Sequence, residues 1–201
     1  MRVALTFDTE HPGRPCPPGV TESILVTLER AGVRATFFLQ GRWARAHPEL
    51  ARRVAEAGHA IGNHSHYHAP MDALTNEWLR RDVREAEETI QAVAGVDPRP
   101  WFRCPFGSGM EDPRVLGLLE DLGYVHVGWN VDPRDWEEGR TVEELSTRVL
   151  EGVAEHEEAI VLMHGWPGVT AEALAQLIDS LREAGADFVD IPSLGQRTVP
   201  R

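Results

Sequence analysis

Residues 3–32 read VALTFDTEHPGRPCPPGVTESILVTLERAG, and the features along them make one complete β/α unit. Val3 to Phe7 is an apolar run of strand length, the Pro/Gly-rich stretch 12–19 interrupts it, and a helical pattern then runs to Ala31 and stops at Gly32. The unit recurs. A strand around Ala35 to Leu39 precedes a helix from Pro48 to Ala57, with proline in the first turn and Gly58 at the stop. His59 to Asn63 is a third strand. The following helix, Asn76 to Ala94, carries Leu79, Val83, Ala86, Ile90 and Val93 at spacings of four and three, so one face is apolar and packs inward, and Gly95 ends it.

Further along come a strand at Trp101 to Arg103, a helix Pro113 to Leu122 closed by Gly123, and a strand Tyr124 to Val131. Thr141 with Glu144 three residues on is a capping box, and Ala159 to Met163 is a strand of the fully buried kind. Thr170 reads as the cap of the last long helix, which ends near Gly185, and Phe188 to Ile191 supplies a seventh strand. Strands that alternate with helices pair in parallel through right-handed crossovers. No linker, repeat or low-complexity segment divides the chain, so residues 1–201 read as one domain, and one domain favours a closed or nearly closed barrel over an open sheet.

Composition narrows the function classes. With 42% hydrophobic and 26% charged residues in 201, the chain has the balance of an ordinary globular protein. Its 32 Asp and Glu against 20 Lys and Arg give a formal charge of −12, which argues against a hold on nucleic acid through the phosphate backbone. No apolar run approaches the roughly 20 residues of a membrane span. The start, MRVALTFD, has no basic segment, apolar segment or cleavage site of a leader, so the expected location is cytoplasmic. Cys16 and Cys104 are too few for a disulfide framework.

Most reactive side chains fall where strands end. Asp8 closes the first strand, His64 and His68 follow the third, and Arg103, Asp132 and His164 end the fourth, fifth and sixth. In a parallel barrel those ends form one rim, where active sites are built. In NHSHYH, His64 and His68 stand four apart, which on one helical turn aims two imidazoles at one ion. His66 lies between them and faces away. Taken singly these residues are less telling: the histidines also suit a surface cluster, Asp8 a strand-end cap, and His164 a satisfied core histidine.

Their order is more specific. TFDTE, HSHYH, RCPFG, DPRDW and LMH, from Thr6 to His164, resemble the five motifs of the polysaccharide deacetylases, carbohydrate esterase family 4, also called the NodB homology domain. The resemblance implies a distorted (β/α) barrel with about seven parallel strands that uses a divalent metal to remove acetyl groups from the amide nitrogen of N-acylated sugars. It makes Asp8 the catalytic base, oriented by Arg103, and His64 and His68 metal ligands. The backbone N–H of Phe106 would help form an oxyanion hole, His164 would be the general acid supported by Asp132, and Trp136 and Leu162 would line the acyl pocket. Zinc is the expected ion, given its affinity for imidazole.

The first motif departs from the family. An Asp-Asp pair is usual, whereas Asp8 is followed here by Thr9 and then Glu10. On an extended strand end Asp8 and Glu10 point to the same side and Thr9 to the other, so Glu10 is the candidate for the missing carboxylate ligand, with His11 and Cys16 behind it. Phe106 stands where a tyrosine is often found. Two other readings follow from the altered motif: a hydrolase of another small amide with weak or no metal binding, and a carbohydrate-binding module without catalysis.

Overall fold

The computed structural model describes residues 1–12 and 17–194; Cys16 lies outside the described residues. Strand β1 (Arg2–Thr9) leads through α1 (Val20–Ala31) to β2 (Thr36–Leu39), then α2 (Gly41–Ala46), α3 (Pro48–Glu56), β3 (Ala60–Asn63) and α4 (Asn76–Ala94). The second half runs β4 (Trp101–Phe102), α5 (Pro113–Asp121), β5 (Val125–His126), α6 (Val142–Ala154), β6 (Glu158–His164), α7 (Gly168–Glu183), β7 (Asp187–Val189) and α8 (Ile191–Leu194). The pairings are all parallel, in the order β5-β4-β3-β2-β1-β6, with β7 on β1 at Arg2–Ala4. This is the expected distorted (β/α) barrel. No described helix is long and apolar enough to cross a membrane.

Strand alternation sorts the side chains. Val3, Leu5 and Phe7 of β1 join Ala159, Val161 and Met163 of β6 in the large core shared with the helices, including Leu28 of α1 and Leu174 of α7. The alternate residues Ala4 and Ile160 turn inward to a smaller core with Phe38, Trp101 and Val127, which Ile191 and Leu194 of α8 close at one end. Of the remaining inward positions near the carboxyl ends of these two strands, Thr6, Asp8 and His164 are polar and Leu162 is apolar. Register pairs Thr6 with Leu162 and Asp8 with His164, so strand pairing alone sets the base and acid candidates side by side.

Closure is slight. After β5 the chain meets β6 through one bridge, Val131 to Val161, and the Asn130 side chain reinforces it by donating to the Glu158 carbonyl at 2.9 Å and accepting from the Ile160 N–H at 2.7 Å. The expected strand Tyr124 to Val131 therefore shrinks to β5 plus this bridge. The reason is a side chain from another strand end: the carbonyls of Val127 and Gly128 accept hydrogen bonds from Arg103 at 3.2 and 3.1 Å. The last strand also shifts, to Asp187–Val189, and Ile191 begins α8 instead. Helix α2 was not expected; it is six residues long, and only His47 separates it from α3. At α6 the capping box of Thr141 and Glu144 forms as read. At α7, by contrast, Pro167 occupies the cap and Thr170 lies inside the helix, its hydroxyl turned to Asp135 at 2.6 Å.

Candidate active site

Arg103 anchors the site. Its side chain is fully buried and gives its donors to Asp8 Oδ1 at 2.9 Å, Thr6 Oγ1 at 2.8 Å and the two carbonyls of the segment after β5. The guanidinium lies 4.1 Å from the centre of the Phe38 ring. Burial pulls its pKa down, and the carboxylate of Asp8 acts in the opposite direction. Asp8 is thereby held by two features of the fold: its place opposite His164 in the sheet, and a charge-assisted bond to a residue from another strand end.

Glu10 lies on the same side as Asp8, as strand alternation requires. It is buried, and its two oxygens face different neighbours. Oε2 contacts His68 Nε2 and lies 3.4 Å from His64 Nε2, whereas Oε1 faces His11 Nε2 at 3.2 Å and Trp166 Nε1 at 3.4 Å. Burial alone disfavours the ionised form, but the imidazoles of His11, His64 and His68 around it hold the carboxyl well below the usual range. Thr9 turns away, its hydroxyl 3.3 Å from the Phe38 carbonyl.

The two histidines are presented by a loop and not by the helical turn that their spacing suggested. Ser65 and His68 both have left-handed backbones, with φ of 61° and 57°. Asn63 shapes the first bend by accepting from the Ser65 N–H at 2.9 Å while its amide donates to the Val83 carbonyl at 3.0 Å. Ser65 Oγ accepts from the His68 N–H at 2.9 Å, and Asp82 of α4 accepts from the Tyr67 N–H at 2.9 Å. His64 Nδ1 meets the Arg103 carbonyl at 2.9 Å; a carbonyl only accepts, so Nδ1 carries a hydrogen, and in the neutral ring Nε2 presents a lone pair. His66 does face away from the pair, but it is buried with Nε2 3.3 Å from Glu85 and not turned to solvent.

Across the cavity the expected partner of His164 is replaced. Its Nδ1 bonds Asp135 at 2.7 Å, its own N–H donates to the same carboxylate at 2.8 Å, and Thr170 donates the third bond. Asp132 instead accepts from the Arg134 N–H at 2.9 Å and lines the cavity, where burial raises its pKa. A left-handed Arg134, φ 56°, reverses the chain between them and brings Asp135 back under β6. Burial pulls the His164 pKa down, but Asp135 foremost, with Asp8 and Glu10, outweighs it and pushes the imidazole up to about 9. Its contribution to stability is therefore present below the unfolded value of 6.5 and is lost as pH rises through about 9. Asp135→Asn is expected to lower the His164 pKa by about 1–3 units, followed by NMR of the imidazole protons. Asp132→Asn should move it less. A larger shift from Asp132→Asn would restore the original pairing.

Asp8, Glu10, His64, His68, Asp132 and His164 line one cavity of about 390 Å³, with Arg103 and Asp135 buried behind it. Its apolar wall includes Cys104, Phe106, Trp129, Trp136 and Leu162, with Phe106 67% and Trp136 44% exposed at the mouth. Phe106, Trp136 and Leu162 were read from the sequence; Asp135, Trp129 and Trp166 were not. Cys104 is buried, and its thiol is pushed up to about 12 by burial. Phe106 also has a left-handed backbone, φ 58°, so the described non-glycine residues of positive φ all sit in the loops around this cavity.

A parallel barrel that gathers acids, imidazoles and one buried arginine on its carboxyl-end rim is a rim-site barrel of the carbohydrate esterase type. The chain belongs to the polysaccharide deacetylase family, whose model matches residues 1–127. It is 37% identical over 177 residues to the uncharacterised protein YlxY of Bacillus subtilis, a match covering 88% of this chain and 53% of that protein. The chain thus spans about half the length of that relative. A peptidoglycan-N-acetylglucosamine deacetylase of Bacillus cereus is 32% identical over 203 residues, 99% of this chain and 70% of its own. Among solved structures, a carbohydrate esterase family 4 pseudoenzyme from Bacillus anthracis superposes with a TM-score of 0.86 at 31% identity, covering 96% of this chain and 64% of that one.

Proposed function

We propose that residues 1–201 form one catalytic domain that hydrolyses the acetamide of N-acetylated amino-sugar units in a saccharide, giving acetate and a free amine. Because the fold is shared with a pseudoenzyme, the proposal rests on the site and not on the fold. The observation that carries it is the conjunction, in one cavity, of Asp8 fixed by Arg103 with His164 fixed by Asp135 on the adjoining strand, and Glu10, His64 and His68 beside them. The name of the Bacillus cereus relative supports the substrate class.

The donor set fits one divalent ion. Glu10 Oε2, His64 Nε2 and His68 Nε2 face one another, the two nitrogens are 3.1 Å apart, and the neutral His64 ring turns a lone pair toward the other two atoms. One carboxylate oxygen and two imidazole nitrogens with room for solvent are the donors of a hydrolytic zinc centre. When bound, the ion supplies polarisation of the amide carbonyl and activation of water.

The chain supplies the rest. Asp8, held by Arg103, takes the proton of the attacking water. The Phe106 backbone N–H, at the cavity mouth, donates to the oxygen on which charge develops. His164, protonated near neutral pH through Asp135 foremost and the nearby carboxylates of Asp8 and Glu10, passes that proton to the departing nitrogen, so the amine leaves neutral. Asp132, Trp136 and Leu162 border the acyl group.

The test is acetate release from N-acetylglucosamine oligomers by protein purified without a His-tag and analysed for metal. Turnover with about one zinc per chain is expected, and Glu10→Gln should lower zinc affinity by about 10–100-fold. Oligomer binding by the zinc-loaded protein without acetate release would overturn the proposal in favour of a binding module.

A further inference from the structure

The carboxylate at position 10 has a longer, more flexible arm than the aspartate usual in the first motif, and its two oxygens have separate surroundings. Oε2 faces the imidazoles of His64 and His68. Oε1 has His11 Nε2 at 3.2 Å and Trp166 Nε1 at 3.4 Å. An indole nitrogen only donates, and an imidazole nitrogen donates in one tautomer, so both neighbours suit an oxygen that holds no metal. Neither neighbour is loosely placed. His11 has a left-handed backbone, φ 53°; its N–H donates to Gln40 Oε1 at 2.9 Å and its ring stands edge-on to His68 at 4.5 Å between centres. Trp166 follows His164 by two residues, the two rings being 5.9 Å apart.

We infer that His11 and Trp166 are positioning residues that clamp Oε1 of Glu10, fixing Glu10 as a one-oxygen metal ligand and joining the metal side of the cavity to the His164 side. The inference rests on the metal reading above. It explains how a carboxylate two residues beyond Asp8 serves where one residue is usual: two donors restrict the additional rotatable bond, and groups around a metal that orient its ligands strengthen its binding. The rival arrangement has His11 itself on the ion, since its ligand atom lies within 4.8 Å of those of Glu10 and His68.

Cobalt(II) binding to the apoprotein separates these. His11→Ala and Trp166→Phe are each expected to weaken cobalt affinity by about tenfold or more, with the visible absorption of the saturated protein keeping the band positions and intensities of the parent. His11→Gln, which retains an N–H donor, should recover most of the loss. Unchanged affinity in both variants overturns the clamp, and so does a changed cobalt spectrum in His11→Ala, which would make His11 a ligand. Glu10→Gln is the control: if it leaves cobalt affinity intact, the metal reading itself has failed, whereas a loss there without a loss in His11→Ala and Trp166→Phe condemns only the clamp.

Discussion

Asp8→Asn is expected to reduce acetate release by about 10²–10⁴-fold, the range a positioned proton acceptor contributes. An amide oxygen still accepts from Arg103, so the geometry survives, but it does not take a proton from water. The variant also carries a cost that the sequence did not foretell. Arg103 is fully buried, and Asp8 is its carboxylate partner. Removing one member of a buried pair costs about 3–5 kcal/mol; here the retained hydrogen bond and the bonds to Thr6, Val127 and Gly128 keep the loss below that range. A fall in melting temperature of a few degrees should therefore accompany the fall in rate. Thermal denaturation measured beside the assay separates the two, and turnover within about tenfold of the parent would remove Asp8 from the role of base.

His64→Ala should be as damaging by another route. Its Nε2 faces Glu10 and His68, and its Nδ1 is tied to the backbone of the residue that anchors Asp8. The substitution removes a nitrogen donor and leaves the Arg103 carbonyl without that partner. Zinc retained after dialysis against a buffered zinc solution should drop by about two orders of magnitude or more, beyond the effect of losing a group that merely orients a ligand. Full metal content with full activity would show that the two-histidine assignment is wrong.

How far the sequence reaches depends on whether a feature is local. Strands β1, β2, β3 and β6 are short apolar runs with both faces covered, and they are found within a residue or two of where the pattern places them. Helix α4 has the predicted bounds, because an apolar stripe with a threonine cap and a terminal glycine leaves little freedom. The strand after Tyr124 failed because its carbonyls serve Arg103, a residue more than twenty positions earlier. Asp8, Glu10, His64 and His68 were legible through strand alternation and motif order. The partner of His164 was not: DPRDW offers two aspartates, and only the left-handed Arg134 decides which one returns to β6.

The sparse closure of the barrel divides the cavity mechanically. One wall, β1 to β3, is a continuous parallel ladder that carries Asp8, Glu10 and the loop of His64 and His68. The other wall, the segment from Val127 to Trp136, has no ladder of that kind and holds to β6 through the Val131–Val161 bridge, the Asn130 side chain and the bonds of Asp135 to His164. Segments with few backbone bonds open at a lower free energy than the whole fold. The pocket is thus a hard jaw facing a soft one, and Asp135 is the rivet between the soft jaw and His164. Asp135 therefore ties the position of this segment to the imidazole, because the carboxylate that bonds His164 is also the foremost of the anions that raise its pKa. The shape of this wall and the charge state of the imidazole thus hang on a single carboxylate.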